Sequence, residues 1–354
     1  MSESTTIRTG IIGYGLSGRV FHAPFIATNP AFSLDLIATG NPDRQADARA
    51  THPGAEIVDS PEQLLARAAG ELDLVILASP AHTHFDQAIA ALEAGAAVVI
   101  DKPFVPTVLD AKQLIAKAEE VGKPLIVFQN RRWDGDFLTL EKLVSSGALG
   151  AVHRFESTFE RWGGPLRDRW QDQTSIADGG GITYDLGSHL IDQALHLFGP
   201  ATVEQAELCV IREGGVSDDD AFISLLHTSG VRSHLTMSRA AAQSGPRFRV
   251  LGSEGGYAVY GLDNQEPALK EKRWPGSDGY GITPEADWGL AGIDATGSTL
   301  EKVETEHGDY PAFYAGVAAS ILHGAPLPVD PRDSLEVVRI IERAHEISAK
   351  SAED

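Results

Sequence analysis

Thr9-Gly10-Ile11-Ile12-Gly13-Tyr14-Gly15-Leu16-Ser17-Gly18 is a β-branched run that enters three closely spaced glycines. The run Thr9–Ile12 reads as a strand, and each glycine after it answers a steric need. Gly13 permits a tight turn, Gly15 lets the main chain approach a pyrophosphate, and Gly18 lets the next helix pack on the strand while its free N–H groups face the anion. A glycine-rich turn with no ligand is the alternative. A strand before, a helix after and further strand–helix units downstream weigh against it.

Those units continue outward from the glycines. Thr9–Ile12, Leu34–Ala38, Glu56–Val58, Leu72–Leu77, Ala97–Ile100 and Leu125–Phe128 read as strands, with helical stretches such as Pro61–Ala69, Thr83–Glu93 and Leu109–Val121 between them. Gly70, Gly95 and Gly122 stand where those helices should stop. Right-handed crossovers then wind the strands into a doubly wound parallel sheet, a Rossmann domain over residues 5–130, with its ligand crevice at the carboxyl ends of the strands. Beyond Gly199 the runs Thr202–Arg212, Ala221–Thr228, Val231–Ser238, Phe248–Leu251 and Gly256–Tyr260 follow one another without intervening helices. With Val152–Arg161 they predict a largely antiparallel open sheet of about six strands, in an α+β domain over residues 131–354. The overall class is therefore α/β joined to α+β. Trp274–Gly297, rich in Gly and Pro, reads as a long loop, and Ala312–Leu322 and Pro331–Ala349 read as closing helices.

Composition narrows the partners. The 354 residues carry a formal charge of −21, which repels nucleic-acid phosphates and anionic lipid. No apolar run approaches the roughly 20 residues of a spanning helix, and Met1–Thr6 lacks the basic-then-apolar pattern of a secretory signal, so the cytoplasm is the expected location. A single cysteine, Cys209, leaves no intrachain disulfide and no cysteine-based zinc cluster, and no metal is expected.

Lys102 ends the buried-looking run Ala96–Asp101 and precedes Pro103. A cation there would face the ligand crevice, where it suits the stabilisation of a developing oxyanion. Near the end of the second strand, NAD-selective sites carry an acid for the ribose 2′-hydroxyl. This chain has Thr39-Gly40-Asn41 instead, with Arg44 close behind, which favours NADP over NAD; the alternative is that Arg44 is a solvated helix residue. Ser79-Pro80-Ala81-His82-Thr83-His84 follows the fourth strand and is expected to line the nicotinamide end, with a histidine bonding locally or capping the helix. Further on, the helical stretch Ile182–Phe198 carries Asp185 and His189 four residues apart on one face. A carboxylate one turn away fixes the tautomer of a histidine and stabilises its imidazolium, as a general base for an alcohol proton requires. Stability alone is the competing explanation of such a pair. Gly179-Gly180-Gly181 before it points to close backbone approach or a mobile entry.

Gly13–Gly18, Ser79-Pro80 with His84, Asp101-Lys102-Pro103, and Asp185 with His189 occur in an order and spacing that resembles the Gfo/Idh/MocA oxidoreductases over almost the whole chain. Phe21-His22-Ala23-Pro24, Gln129–Asp134 and Tyr184–Gln193 resemble in particular the YdgJ-like branch, which includes NADP-linked scyllo-inositol dehydrogenases. The resemblance implies an NAD(P)-dependent dehydrogenase or reductase acting on CH–OH groups, with a cyclic polyol or sugar as substrate and an inositol foremost. It assigns Lys102 to the lysine that contacts both substrate hydroxyl and nicotinamide ribose, His189 to the base, and Asp185 to its support. Gly13, Tyr14, Gly15, Leu16, Ser17, Gly18, Thr39, Gly40, Arg44, Ser79, Pro80, His84, Asp101, Lys102 and Asn130 fall on the cofactor side; Arg131 and Trp133 join Lys102, Asp185 and His189 on the substrate side. Asp101 replaces the family's usual Glu. Reduction of a sugar carbonyl or anhydro sugar is the rival activity, and a sugar-sensing regulator the rival class. A homodimer or homotetramer through the second sheet is expected.

Overall fold

The computed structural model describes residues 6–166, 173–295 and 298–351, and the chain divides into two compact units. The first holds residues up to Asn130 together with Gln265–Tyr280 and Asp309–Leu335. Its strands are β1 (Ile7–Ile12), β2 (Phe32–Ala38), β3 (Glu56–Val58), β4 (Leu74–Leu77), β5 (Ala97–Ile100) and β6 (Leu125–Val127). They pair in the order β3-β2-β1-β4-β5-β6, every neighbour parallel. Every residue of β4, β5 and β6 is buried, as a parallel sheet covered on both faces requires. Strand order reverses between β1 and β4, so the carboxyl ends of these two strands form the switch point where such sheets bind ligands. The helices start and stop on the expected signals. Ser60 and Thr107 cap helix starts through their hydroxyls, and Gly122 closes the Val108–Val121 helix in the left-handed region.

Gln265–Tyr280 and Asp309–Leu335, which the sequence places in the second domain, pack with the first unit. Their anchor is aromatic: on the Tyr310–His323 helix, Tyr314 stacks on Phe25 at 5.7 Å, and Phe313 meets Phe128 at 4.9 Å. Rings of this kind bury large apolar areas, which explains why the chain returns here. Nothing local in residues 309–335 announces that return.

The second unit comprises Arg131–Asn264, Gly281–Gly308 and Glu336 onward. Its sheet has eight strands rather than six: β7 (Val152–Glu160), β8 (Ala201–Cys209), β9 (Asp220–His227), β10 (Arg232–Ser238), β11 (Phe248–Gly252), β12 (Gly256–Val259), β13 (Gly289–Gly292) and β14 (Glu301–Val303). The order is β14-β13-β12-β11-β7-β10-β9-β8, antiparallel except for β7 with β10. The extra strand β13 lies inside the stretch read as a loop, whose end at 296–297 is outside the described residues. Four residues bounded by glycine carry no legible alternation, and the pairing of Tyr257 with Ala291 places them instead. Strand β9 alternates buried and half-buried, so one face of the sheet packs inward. Leu190, Ile191 and Ala194 of the Ser188–Phe198 helix share its core with Phe155, Ile223, Leu235, Phe248 and Ile341.

Candidate active site

In the first unit, the turn after β1 is shaped by what glycine lacks. Gly13 has φ +95°, and a Cβ there would lie 2.5 Å from the Ala78 carbonyl oxygen; a Cβ on Gly18 would lie 2.0 Å from that of Gly13. Neither position admits a side chain, because the turn is wedged against the end of β4 and against itself. Gly15 differs: the nearest atom to a Cβ would be Arg44 Nη1, at 3.7 Å. The exposed guanidinium therefore stands beside open backbone at the glycine turn. Tyr14 points inward. Its ring meets His52 edge-on at 6.0 Å, His52 stacks on Trp274 at 6.3 Å, and burial pushes the Tyr14 phenol up to about 12. Leu16 is exposed, on the rim of the turn.

After β2, Asn41 Oδ1 accepts the Arg44 N–H at 3.0 Å and caps the Pro42–Thr51 helix, while the Thr39 carbonyl accepts from Gln45 Nε2. An uncharged cap thus occupies the region where a ribose-binding acid was sought. After β4, Ser79 Oγ donates to Gln87 Oε1 at 2.7 Å and accepts from Thr83 Oγ1. His84 is buried, with Nε2 2.9 Å from the Ser79 carbonyl and Nδ1 3.0 Å from that of Phe104. The ring lies between the turn after β4 and the segment after Lys102, and its one N–H in the neutral form can donate to one of these carbonyls. This is the local bonding expected of a histidine in that segment. Burial, first among the causes, lowers the His84 pKa.

Lys102 leaves the carboxyl end of β5, its N–H bonded to Asp101 Oδ1 at 2.8 Å and its peptide bond to Pro103 cis. Burial works to raise the Asp101 carboxyl, but His22 and Lys102 draw it below the ordinary aspartate value. Glycine turn, Arg44, Ser79 and Lys102 thus gather at the carboxyl edge of one sheet. Asn130, buried, ends the first segment of this unit.

The second unit builds the histidine. Gly181, at φ +101°, lies so close to Asp218 that a Cβ would meet its Oδ1 at 2.2 Å, which is the close backbone approach the three glycines implied. Asp218 Oδ2 then accepts both the N–H (2.8 Å) and the hydroxyl (2.6 Å) of Thr183, the first residue of a π-helical turn, Thr183–Gly187. The turn carries Asp185 and runs into the α-helix whose second residue is His189, 4% exposed. Asp185 Oδ2 is hydrogen-bonded by Arg239 Nη2 and lies 3.7 Å from Arg161 Nη2. The sequence expects this carboxylate to support His189; the two arginines, which follow β7 and β10, are partners that no local pattern announces.

Two further clamps hold the helix. Arg132 makes a bidentate pair with Asp192 (Nε–Oδ2 2.9 Å, Nη2–Oδ1 2.7 Å), and Gln193 Nε2 donates to the Arg131 carbonyl at 2.9 Å. Arg247, itself buried, donates to Gln193 Oε1 at 2.7 Å. Arg131 Nη1 donates to Asp134 Oδ2 at 3.0 Å, its guanidinium 4.9 Å from the Phe159 ring centre; Trp133 is half-buried. Asp192 and Gln193 stand in the sequence only as part of the Tyr184–Gln193 stretch, and neither they nor Arg247 are given a role there. The signal was two adjacent polar residues inside a helix flanked by Leu190, Ile191 and Ala194, since buried polar groups demand partners.

Beneath this cluster, burial and then the neighbouring Asp134 charge push the Asp136 carboxyl from 3.8 up to about 6. A folded-state value above the unfolded one favours the native state below about 4 and loses that advantage as pH rises through about 6. Melting temperatures across this range should show the wild-type chain losing ground to Asp136→Asn; parallel curves would contradict it.

Fold and turn define a nicotinamide-nucleotide-binding oxidoreductase. Residues 7–129 match the model of the oxidoreductase family with NAD-binding Rossmann fold, and residues 137–258 match that of the GFO/IDH/MocA C-terminal domain. The chain belongs to the Gfo/Idh/MocA oxidoreductase family. It is 40% identical over 346 residues to the uncharacterized oxidoreductase YdgJ of Escherichia coli K12, covering 96% of this chain and 95% of that one. It is 35% identical over 344 residues to the scyllo-inositol 2-dehydrogenase (NADP(+)) IolW of Bacillus subtilis, covering 97% and 94%. The solved structure of yvaA from Bacillus subtilis superposes with a TM-score of 0.92 at 33% identity, covering 99% and 98%. Among the described residues no helix is long and apolar enough to cross a membrane.

Proposed function

We propose that the chain exchanges hydride between NADP and a secondary hydroxyl of a cyclic polyol, an inositol first. The observation that carries this reading is Lys102, a cation at the carboxyl end of β5 on the same sheet edge as the glycine turn. The residues present fit a dinucleotide. Gly15 leaves backbone open to a pyrophosphate, and Arg44 beside it can meet a 2′-phosphate. The likeness to IolW, named for NADP and scyllo-inositol, supports both choices. When bound, the nicotinamide ring supplies the hydride acceptor or donor. His189 takes the hydroxyl proton, Asp185 stabilises the imidazolium that forms, and Lys102 stabilises the oxygen as negative charge develops on it. Arg131 and Trp133 bind polyol oxygens.

A spectrophotometric screen of inositols, aldoses and anhydro sugars with NAD and NADP at alkaline pH tests this reading. Inositol-dependent NADP reduction is expected, and no polyol-dependent signal with either nucleotide would end it. Arg44→Ala should weaken NADP about ten- to hundredfold, the worth of charge-assisted hydrogen bonds, and leave NAD nearly unchanged. Equal loss for both nucleotides would remove Arg44 from the phosphate site.

The outer face of the eight-stranded sheet, where Phe222 and His234 pair at 5.9 Å, supports a homodimer or homotetramer. Light scattering on the purified protein checks it, and a monomer at micromolar concentration would contradict it.

A further inference from the structure

We infer that His22 is a positioning residue that holds Lys102 in place through Asp101. This rests on the reading of Lys102 given above and deepens it.

His22 lies on the π-helical turn Gly18–His22 that follows the glycine turn, and it is wholly buried. Its imidazole packs on Phe128 with ring centres 4.5 Å apart. Nδ1 is 2.5 Å from the Tyr314 hydroxyl, and Nε2 is 3.8 Å from Asp101 Oδ2, just beyond hydrogen-bond length. The other Asp101 oxygen accepts the Lys102 N–H. Tyr314, His22, Asp101 and the main chain of Lys102 therefore lie in sequence within one unit, joined by hydrogen bonds at both ends and by a close approach, not a hydrogen bond, between His22 and Asp101.

The chemistry of the path is directional. The tautomer with its proton on Nε2 presents that proton to the carboxylate and leaves Nδ1 to accept from the Tyr314 hydroxyl. Burial, with the Asp101 charge second, raises the Tyr314 phenol far above its usual value, so it remains a donor. Asp101 is held ionised. Each group thus fixes the role of the next, and the carboxylate keeps one orientation toward Lys102. An apolar core could fill the same volume, but it would leave a buried carboxylate without its polar neighbour.

His22→Leu, His22→Gln and Tyr314→Phe, assayed beside Lys102→Met, test the inference. Displacing a reacting group by about 1 Å costs up to about a hundredfold, so His22→Leu should lower kcat about 10- to 100-fold. Its dissociation constant for NADPH, read by fluorescence, should stay within about threefold of wild type, below the tenfold that 1.4 kcal/mol represents. Glutamine, which can donate to Asp101 and accept from Tyr314, should restore most of the rate. Should His22→Leu not fold, Tyr314→Phe must still lower kcat about fivefold, the worth of one hydrogen bond. An unchanged kcat in these variants, or a fall matched by loss of NADPH affinity, overturns the inference. If Lys102→Met turns over at the wild-type rate, the reading of the lysine itself fails. If Lys102→Met is slow while the His22 and Tyr314 variants are normal, only the role of His22 is lost.

Discussion

Lys102→Met is expected to lower kcat by about two to three orders of magnitude, the cost of removing one preorganised oxyanion donor from an enzyme site. Methionine keeps the length and apolar stem of the side chain and removes only the cation, so packing at the end of β5 should survive. The Asp101 bond goes to the main-chain N–H of residue 102 and does not depend on the side chain. Loss of the cation also removes one of the charges that hold the Asp101 carboxyl low, so melting temperature should fall modestly while turnover collapses. Steady-state kinetics with the polyol found by screening gives the answer, and a variant within about threefold of wild type would leave the lysine without a chemical role.

His189→Asn should cost about 10²–10⁴ in kcat, the usual contribution of a general base. Asparagine retains a polar group on the first turn of the Ser188–Phe198 helix and cannot shuttle the proton. The clamps beside it, Arg132 with Asp192 and Gln193 with Arg131, do not involve His189 and should keep the helix where it is. A signature separates base from scaffold: oxidation by the wild-type enzyme should rise with pH as the histidine loses its proton, and that rise should vanish in the variant. A residual rate with the same pH dependence would mean that another group takes the proton.

Where the chain repeats a local rule, the structure follows the sequence closely. The β-branched run before Gly13, the glycine stops at Gly70 and Gly122, and the alternation of β9 are local signals, and each element lies within a few residues of its expected place. Two things were hidden, and for one reason. The return of the Tyr310–His323 helix to the first unit depends on rings contributed by Phe25 and Phe128, far away in sequence. The arginine partners of Asp185 come from residues 161 and 239, and that of Asp192 from residue 132. Periodicity reports which face of an element is apolar; it carries no record of which distant charge lies opposite a buried carboxylate. His84 shows the same limit at the site. Its place after β4 and its local bonding, here at the Ser79 carbonyl, were legible, and its approach to the Phe104 carbonyl twenty residues on was not.

The central claim is that hydride moves directly between a polyol carbon and the nicotinamide ring. Oxidation of an inositol deuterated at its ring carbons, with NADP and the wild-type protein, tests it most directly. Mass spectrometry of the reduced cofactor should find one deuterium per turnover, with slower oxidation of the labelled polyol wherever hydride transfer limits the rate. A reduced cofactor carrying no deuterium, or no reduced cofactor with any inositol or sugar, would contradict the account.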